Sequence, residues 1–130
     1  MEQLLKEATT NTPKVFFDSA NKVFEIIGES RPEDVKAFYE PVFSWFDKYL
    51  AELKTQGSKD EFVLKMFMEY FNSSSAKYIL NLAKKMYDFI QAGIPVTIEW
   101  CYVEDDDDMK ETGEEMERMS KVPFKYAVQQ

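Results

Sequence analysis

The chain has 130 residues, of which 45% are hydrophobic and 15% aromatic, enough for one domain with a substantial core. Its net charge of −8 argues against binding to nucleic acid or to an anionic membrane surface, because both are bound through Lys and Arg. It has no histidine, the commonest general base and zinc ligand, and its single cysteine excludes an internal disulfide. With no apolar leader and no apolar run near the roughly 20 residues of a membrane helix, we expect a cytoplasmic protein.

The N-terminal part of the chain predicts a hairpin after a polar start. Residues 1–11 read as a loose lead-in with at most one helical turn, so the folded domain is expected over 12–130. Strands are predicted over 14–18 and 22–27, and the short link between them is typical of a hairpin. Gly28 is expected to end the second strand.

A long amphipathic helix is predicted next. Ser30 and Glu33 match a capping box, in which the serine caps the helix and the glutamate reaches back. Apolar residues at helical spacing extend this helix to about Lys54, and Gly57 follows its end. Pro41 lies inside it and is expected to kink or split it, because proline lacks an N–H and clashes with the preceding turn.

The second half alternates strands and helices. The run 61–71 is apolar at nearly every position, which predicts a strand covered on both faces. A helix is expected over 76–92, a strand over 95–102 and a short last strand over 123–128. This order predicts a single α/β domain, with a mixed sheet opened by a β-hairpin and about three covering helices.

The acidic run 104–108 is expected to open the third helix, where carboxylates are favoured by the helix dipole. It lacks the ligand spacing and the central glycine of a calcium loop, so a solvated helix start is favoured over a metal site. Thr112 and Gly113 weaken the apolar stripe of this helix.

The junction Asn72-Ser73-Ser74-Ser75 places three hydroxyls where a predicted strand meets a predicted helix. The first helical turn carries unpaired N–H groups and the positive end of the dipole, so a phosphate there would be stabilised. Such a phosphate adds roughly −1.5 to −2 charge, which suits a switch. Considered without any comparison, helix capping by Ser73 or Ser74 is the favoured interpretation, because serine is a preferred N-cap residue.

No set of catalytic residues is evident. The four glycines form no phosphate loop, no Ser-His-Asp set can form, and Ser73 lacks the flanking glycines of a nucleophile elbow. Cys101 lies in an apolar run without an activating histidine, which favours a place in the core. Enzymatic activity and a cofactor are therefore not expected, although an acid–base enzyme using Glu69 or Glu99 is a weaker alternative.

The aromatic-rich helix segment 38–49 supports a further alternative, a small-molecule or lipid-binding domain. Its residues Tyr39, Trp45 and Tyr49 could form an exposed aromatic edge. The favoured interpretation is that they flank a wide core stripe.

Over residues 12–128 the chain resembles the SiaC family of bacterial regulatory phosphoproteins. The junction with the pattern Asn-[Ser/Thr]-Ser-Ser is the most specific of the matching features, and the others support it. The features are Thr12-Pro13, Trp45-Phe46-Asp47-Lys48-Tyr49-Leu50, Tyr70-Phe71-Asn72-Ser73-Ser74-Ser75, Pro95-Val96 and Pro123-Phe124.

The resemblance implies a fold and logic similar to anti-sigma-factor antagonists of the STAS type, in which a serine directly after an aspartate is phosphorylated. Asn72 stands in place of that aspartate, which makes Ser73 the acceptor. Its neighbours Asn72, Ser74 and Ser75 are expected to form the helix cap. Which of the three serines is modified is not fixed by the sequence alone.

The resemblance also implies a non-enzymatic partner switch. A serine/threonine kinase of the anti-sigma-factor type would phosphorylate Ser73, and a PP2C-type phosphatase would remove the phosphate. The unmodified form would bind a downstream target, which in characterised members is a diguanylate cyclase. The chain departs from the family in having serine rather than threonine at the acceptor and a longer acidic stretch at 104–108, which leaves the identity of the target open.

Overall fold

Six strands form one mixed sheet with three helices in the computed structural model, which describes residues 1–129. The predicted α/β fold, its opening hairpin and its three helices are confirmed. Gln130, the expected last residue of the domain, lies outside the described residues. In chain order the elements are β1 (Leu4–Lys6), β2 (Lys14–Asp18), β3 (Val23–Ser30), α1 (Val35–Gln56), β4 (Phe62–Phe71), α2 (Ser73–Gln91), β5 (Val96–Val103), α3 (Asp107–Ser120) and β6 (Phe124–Gln129).

The strands lie in the sheet in the same order as in the chain. The pairs from β1 to β3 are antiparallel, and the pairs from β3 to β6 are parallel, each joined through one helix. Right-handed crossovers that advance in one direction place all three helices on the same face. The other face of the sheet is left without a helical cover.

The one-sided cover corrects the prediction for β4. Its inward residues Phe62, Leu64, Met66 and Met68 are buried, whereas Val63 on the opposite face is 41% exposed. The expectation of a strand covered on both faces is therefore wrong. The prediction failed because apolar residues also occupy outward positions of this strand. The period-2 alternation that is typical of a half-buried strand is therefore weak.

An aromatic cluster between the sheet and α1 forms much of the core. Phe17 lies 4.7 Å from Phe46, and Phe24 lies 4.8 Å from Phe62, measured between ring centroids. The three aromatic residues considered for an exposed edge, Tyr39, Trp45 and Tyr49, are all buried in this core. The favoured interpretation, that these rings flank a wide core stripe, is confirmed.

The loose lead-in expected over 1–11, with at most one helical turn, is wrong, because the segment contains β1. Leu4 pairs with Phe17 and Lys6 pairs with Val15 at the antiparallel edge of the sheet. The indole Nε1 of Trp45 donates a hydrogen bond of 2.8 Å to the Glu2 carbonyl. The sheet thus starts upstream of the expected domain start at residue 12. A three-residue strand is too short for its periodicity to be read from sequence.

β3 continues two residues beyond Gly28, which therefore does not end the strand. Gly28 has φ +131°, and the pairing with β4 shifts register between Gly28 and Glu29. The extra residue of this bulge is Glu69 of β4. Beside it Gly28 takes a positive φ, which glycine tolerates because it has no Cβ to clash. The extension places Ser30 inside the strand, where it is buried.

The capping box predicted for α1 is wrong, because Ser30 belongs to β3. The N-cap is Asp34, whose Oδ1 accepts a hydrogen bond of 3.0 Å from the Ala37 N–H. Of the two outcomes expected at Pro41, a kink or a split, the split is wrong, since α1 continues through it. Pro41 is on the exposed side of the helix, where water can satisfy the carbonyl that loses its intrahelical partner. Gly57 ends the helix in the left-handed conformation.

The acidic run opens α3 as predicted. Asp106 is the N-cap and accepts a hydrogen bond of 3.1 Å from the Met109 N–H, and Asp107 and Asp108 lie in the first turn. Further along, Gly113 is buried against the ring of Trp100, and the Trp100 Nε1 donates to the Met109 carbonyl at 3.0 Å. Gly113 therefore allows α3 to pack closely against Trp100 of the sheet.

Within residues 1–129, no helix combines the length and the apolar character that crossing a bilayer requires.

Candidate phosphoacceptor site

The junction between β4 and α2 is a single residue, Asn72, which is the N-cap of α2. Its Oδ1 accepts a hydrogen bond of 2.9 Å from the Ser75 N–H. Its own backbone N–H donates to the Ser30 carbonyl at 3.1 Å, which holds it to the end of β3. The prediction that Ser73 or Ser74 caps the helix is wrong, because that hydrogen bond keeps Asn72 extended and the helix begins at the next residue.

The three serines differ in accessibility. Ser73 and Ser74 are exposed, whereas Ser75 is completely buried. A kinase must reach the hydroxyl that it modifies, so the buried Ser75 hydroxyl is unsuitable as an acceptor. Two of the three candidate hydroxyls therefore remain accessible.

The start of α2 is electrostatically suited to an anion. The first turn of a helix has N–H groups without intrahelical acceptors and carries the positive end of the dipole. The first turn of α2 contains no acidic residue that would repel an added phosphate. A phosphate on Ser73 or Ser74 would add roughly −1.5 to −2 charge next to these N–H groups.

A buried chain of hydroxyls lies beneath the junction. The Ser30 hydroxyl donates to the Ser75 Oγ at 2.8 Å, and the Tyr39 hydroxyl lies 2.7 Å from the Ser30 Oγ. Since Ser30 gives its one proton to Ser75, the Tyr39 hydroxyl is the donor to Ser30. All three residues are completely buried, and they come from β3, α1 and α2.

Sequence reasoning missed Ser30 and Tyr39 as parts of this site. The sequence predicts Ser30 at the start of a helix, and Tyr39 beside the core or at an exposed aromatic edge. Ser30 and Ser75 are 45 positions apart in the chain. The adjacency of β3 and β4 is the one signal that could have linked them, because the carboxyl ends of parallel strands meet at one edge of the sheet.

Burial of the Tyr39 hydroxyl has a measurable consequence at alkaline pH. Burial raises the pKa of Tyr39 to about 12, although the hydrogen bond with Ser30 acts in the opposite direction. A pKa above the unfolded value of about 10 stabilises the fold below pH 10, and that contribution is lost as pH rises towards 12. We expect the free energy of unfolding to fall by about 2 kcal/mol between pH 9 and pH 12 because of Tyr39 alone.

Urea unfolding of the parent and of Tyr39→Phe at each pH from 8 to 12 measures this contribution. Tyr126, whose pKa is also raised by burial and by Glu117, is present in both proteins and cancels in the comparison. Above pH 10 the free energy of unfolding should fall more steeply for the parent than for Tyr39→Phe. A difference that stays constant up to pH 12 would show that the Tyr39 phenol is not held neutral by the fold.

The other residues considered for chemistry are not brought together. Glu99 lies opposite Lys65 in the neighbouring strand and forms an ion pair of 3.9 Å with Lys125. Glu69 is four residues further along β4, about 13 Å at the rise of a strand. Cys101 is buried, and burial raises the pKa of its thiol, as expected for a core residue.

Comparison with known proteins identifies the family of the chain. Residues 6–129 match the family model described as SiaC family regulatory phosphoprotein. An uncharacterized protein of Pseudomonas aeruginosa (strain UCBPP-PA14) is 25% identical over 124 residues, which cover 95% of this chain and 94% of that protein.

Two solved structures agree with this match. Apo-SiaC from Pseudomonas aeruginosa has a TM-score of 0.85 at 25% identity, covering 98% of this chain and 100% of that chain. A chain in the crystal structure of the diguanylate cyclase SiaD in complex with its activator SiaC, from the same organism, shares the fold. Its TM-score is 0.86 at 24% identity, covering 97% and 99% of the two chains. The protein therefore belongs to the SiaC family of regulatory phosphoproteins.

Proposed function

We propose that this chain is a non-enzymatic signalling protein that binds a diguanylate cyclase when unmodified and releases it when Ser73 is phosphorylated. Membership of a regulatory phosphoprotein family supports the signalling role. The SiaC of Pseudomonas aeruginosa, which shares the fold, is described as the activator of the diguanylate cyclase SiaD, and this supports the choice of target.

The observation that carries the proposal is the exposure of Ser73 at the start of α2. Ser74 is also exposed, so the preference for Ser73 rests on its place directly after Asn72, the position that the family pattern gives to the acceptor. The burial of Ser75 removes the third hydroxyl from consideration.

The proposed mechanism follows from the chemistry of this helix start. Unmodified, it presents short neutral side chains, Ser73 and Ser74, so that a partner can approach the backbone closely. A phosphate adds a bulky dianion, which must be desolvated if the contact is kept and which repels acidic groups on the partner. The net charge of −8 on the chain adds to this repulsion.

The proposal includes two modifying enzymes, a serine/threonine kinase of the anti-sigma-factor type and a PP2C-type phosphatase. Both would need access to the Ser73 hydroxyl. The carboxyl edge of the parallel strands, where α2 begins, presents that hydroxyl at the surface of the domain.

Phosphosite mapping tests the acceptor. The chain is incubated with host lysate and ATP, and the modified peptides are sequenced by mass spectrometry. We expect one phosphate, on Ser73, which is absent from Ser73→Ala and retained by the matched variant Ser74→Ala. Phosphate on Ser74 alone, or none between residues 72 and 75, would contradict the proposal.

A further inference from the structure

The start of α2 is anchored at Ser75 from two directions. The Ser75 N–H is held by the side chain of Asn72, and the Ser75 Oγ accepts the hydrogen bond from Ser30. The Asn72 N–H is in turn bound to the Ser30 carbonyl. Both strands of the β3–β4 pair therefore fix where the first turn of the helix lies.

Tyr39 extends this anchor into α1. Its hydroxyl binds Ser30, and its ring stacks on Tyr78 of α2, with centroids 5.8 Å apart and planes 17° apart. Burial raises the pKa of this hydroxyl to about 12, so it keeps its proton well into the alkaline range. One tyrosine thus links α1 both to the anchor and to the second turn of the helix that carries Ser73.

Ser73 has no comparable support of its own. Within residues 1–129, its hydroxyl and that of Ser74 take part in no side-chain hydrogen bond, whereas Ser75 takes part in the anchor. The position of the Ser73 Oγ therefore follows from the backbone of the first turn. That backbone is held on both sides of Ser73, at Asn72 by the Ser30 carbonyl and at Ser75 by the Ser30 hydroxyl.

Stability alone gives little reason for three buried hydroxyls at this point. A hydrogen bond adds only about 1 kcal/mol net, and replacing both partners by apolar groups of similar shape is close to neutral. Hydrogen bonds are directional, whereas apolar contacts are not. A chain of hydrogen bonds therefore fixes both the distances and the angles between the atoms that it joins. The Ser30–Tyr39–Ser75 chain therefore suits the precise placement of a backbone segment.

We propose that Ser30 and Tyr39 are positioning residues for phosphoryl transfer to Ser73, acting through Ser75. This inference rests on the proposed function, because it requires Ser73 to be the acceptor. In phosphoryl transfer the attacking oxygen must lie in line with the leaving oxygen, and a displacement of about 1 Å lowers the rate by up to ~10²-fold. Loosening the anchor affects the transfer step more than binding of the kinase, because Ser30 and Tyr39 are buried and do not touch it.

Tyr39→Phe tests the inference, because it removes the hydroxyl and keeps the ring that stacks on Tyr78. The matched control is Tyr49→Phe, which removes a hydroxyl from a second buried tyrosine of α1 that is outside the anchor. The initial rate of Ser73 phosphorylation is measured against chain concentration with one kinase fraction from the host, well below the melting temperature. We expect Tyr39→Phe to lower the maximal rate roughly 5–10-fold with KM within about twofold of the parent, and Tyr49→Phe to leave both unchanged.

Ser30→Ala provides a second, independent variant, since it removes the middle hydroxyl of the chain. It should lower the maximal rate by a similar factor, and the Ser30→Ala/Tyr39→Phe double variant should lose little more, because the hydroxyls act as one unit. Lower melting temperatures with unchanged maximal rates would overturn the inference and leave the hydroxyls a structural role only. Absence of Ser73 phosphorylation in the parent would instead overturn the proposed function, and the inference with it.

Discussion

Ser73→Asp is expected to weaken binding of the proposed target, a diguanylate cyclase, by roughly 30- to 150-fold. The substitution places a carboxylate at the exposed start of α2, where the unmodified protein presents a small neutral side chain. If the partner covers this point closely, it must desolvate the new charge, which costs about 2–3 kcal/mol on the scale of an interface hot spot. Isothermal titration calorimetry of purified protein and cyclase measures the change.

Two variants control for other causes of weaker binding. Ser73→Ala should bind like the parent, because it removes only a hydroxyl, and it should not be phosphorylated. Ser74→Asp adds the same charge at the neighbouring exposed position, so it separates a local effect at Ser73 from a general effect of negative charge. Parent-like affinity for Ser73→Asp would contradict the proposed role of this residue.

Gly113→Ala is expected to destabilise the protein by about 2 kcal/mol, although alanine is the better helix former. A Cβ at position 113 would lie 2.5 Å from both Cδ1 and Nε1 of Trp100, closer than real Cβ contacts allow. The Trp100 ring cannot move aside easily, because its Nε1 is bound to the Met109 carbonyl and it stacks on Phe124. Overpacking of this kind costs typically 1–3 kcal/mol and sometimes more, which exceeds the gain of about 1 kcal/mol in helix propensity.

Thermal and urea unfolding measure this effect, with Gly57→Ala as the matched control. Gly57 has φ +64°, but nothing lies within 4 Å of the position that its Cβ would take. Its replacement should therefore cost only about 1 kcal/mol, from the left-handed backbone. A Trp100→Phe/Gly113→Ala double variant should be less destabilised than the sum of its single changes. Parent-like stability of Gly113→Ala would show that α3 can shift away from the sheet.

The fold was predictable from sequence to the extent that local periodicity encodes it. The change from period 2 to period 3.6 located all three helices and most strands, and β2 was predicted with its observed bounds, 14–18. The packing of the helices on one face was not predictable in this way, because Val63 and its apolar neighbours in β4 hide the alternation. The strand β1 was missed because three residues carry too little pattern.

The sequence predicts where the candidate site lies, but it does not predict the hydrogen bonds that hold the site in place. A hydroxyl-rich stretch between an apolar strand and an amphipathic helix marks the start of α2, and it does so from the sequence alone. The cap proved to be Asn72, because a hydrogen bond to Ser30 in another strand sets where the helix begins. The burial of Ser75 and its link to Tyr39 depend on contacts between distant elements, which no local pattern describes.

The central claim is that phosphorylation of Ser73 controls binding to a diguanylate cyclase. The most direct measurement follows one preparation through a complete cycle, with cyclase affinity determined before phosphorylation, after it, and after treatment with a PP2C-type phosphatase. Intact mass and peptide sequencing report the occupancy of Ser73 at each stage. The account predicts tight binding, then a loss of at least about 30-fold, then full recovery. Equal affinity of the unmodified and the Ser73-phosphorylated forms would contradict it.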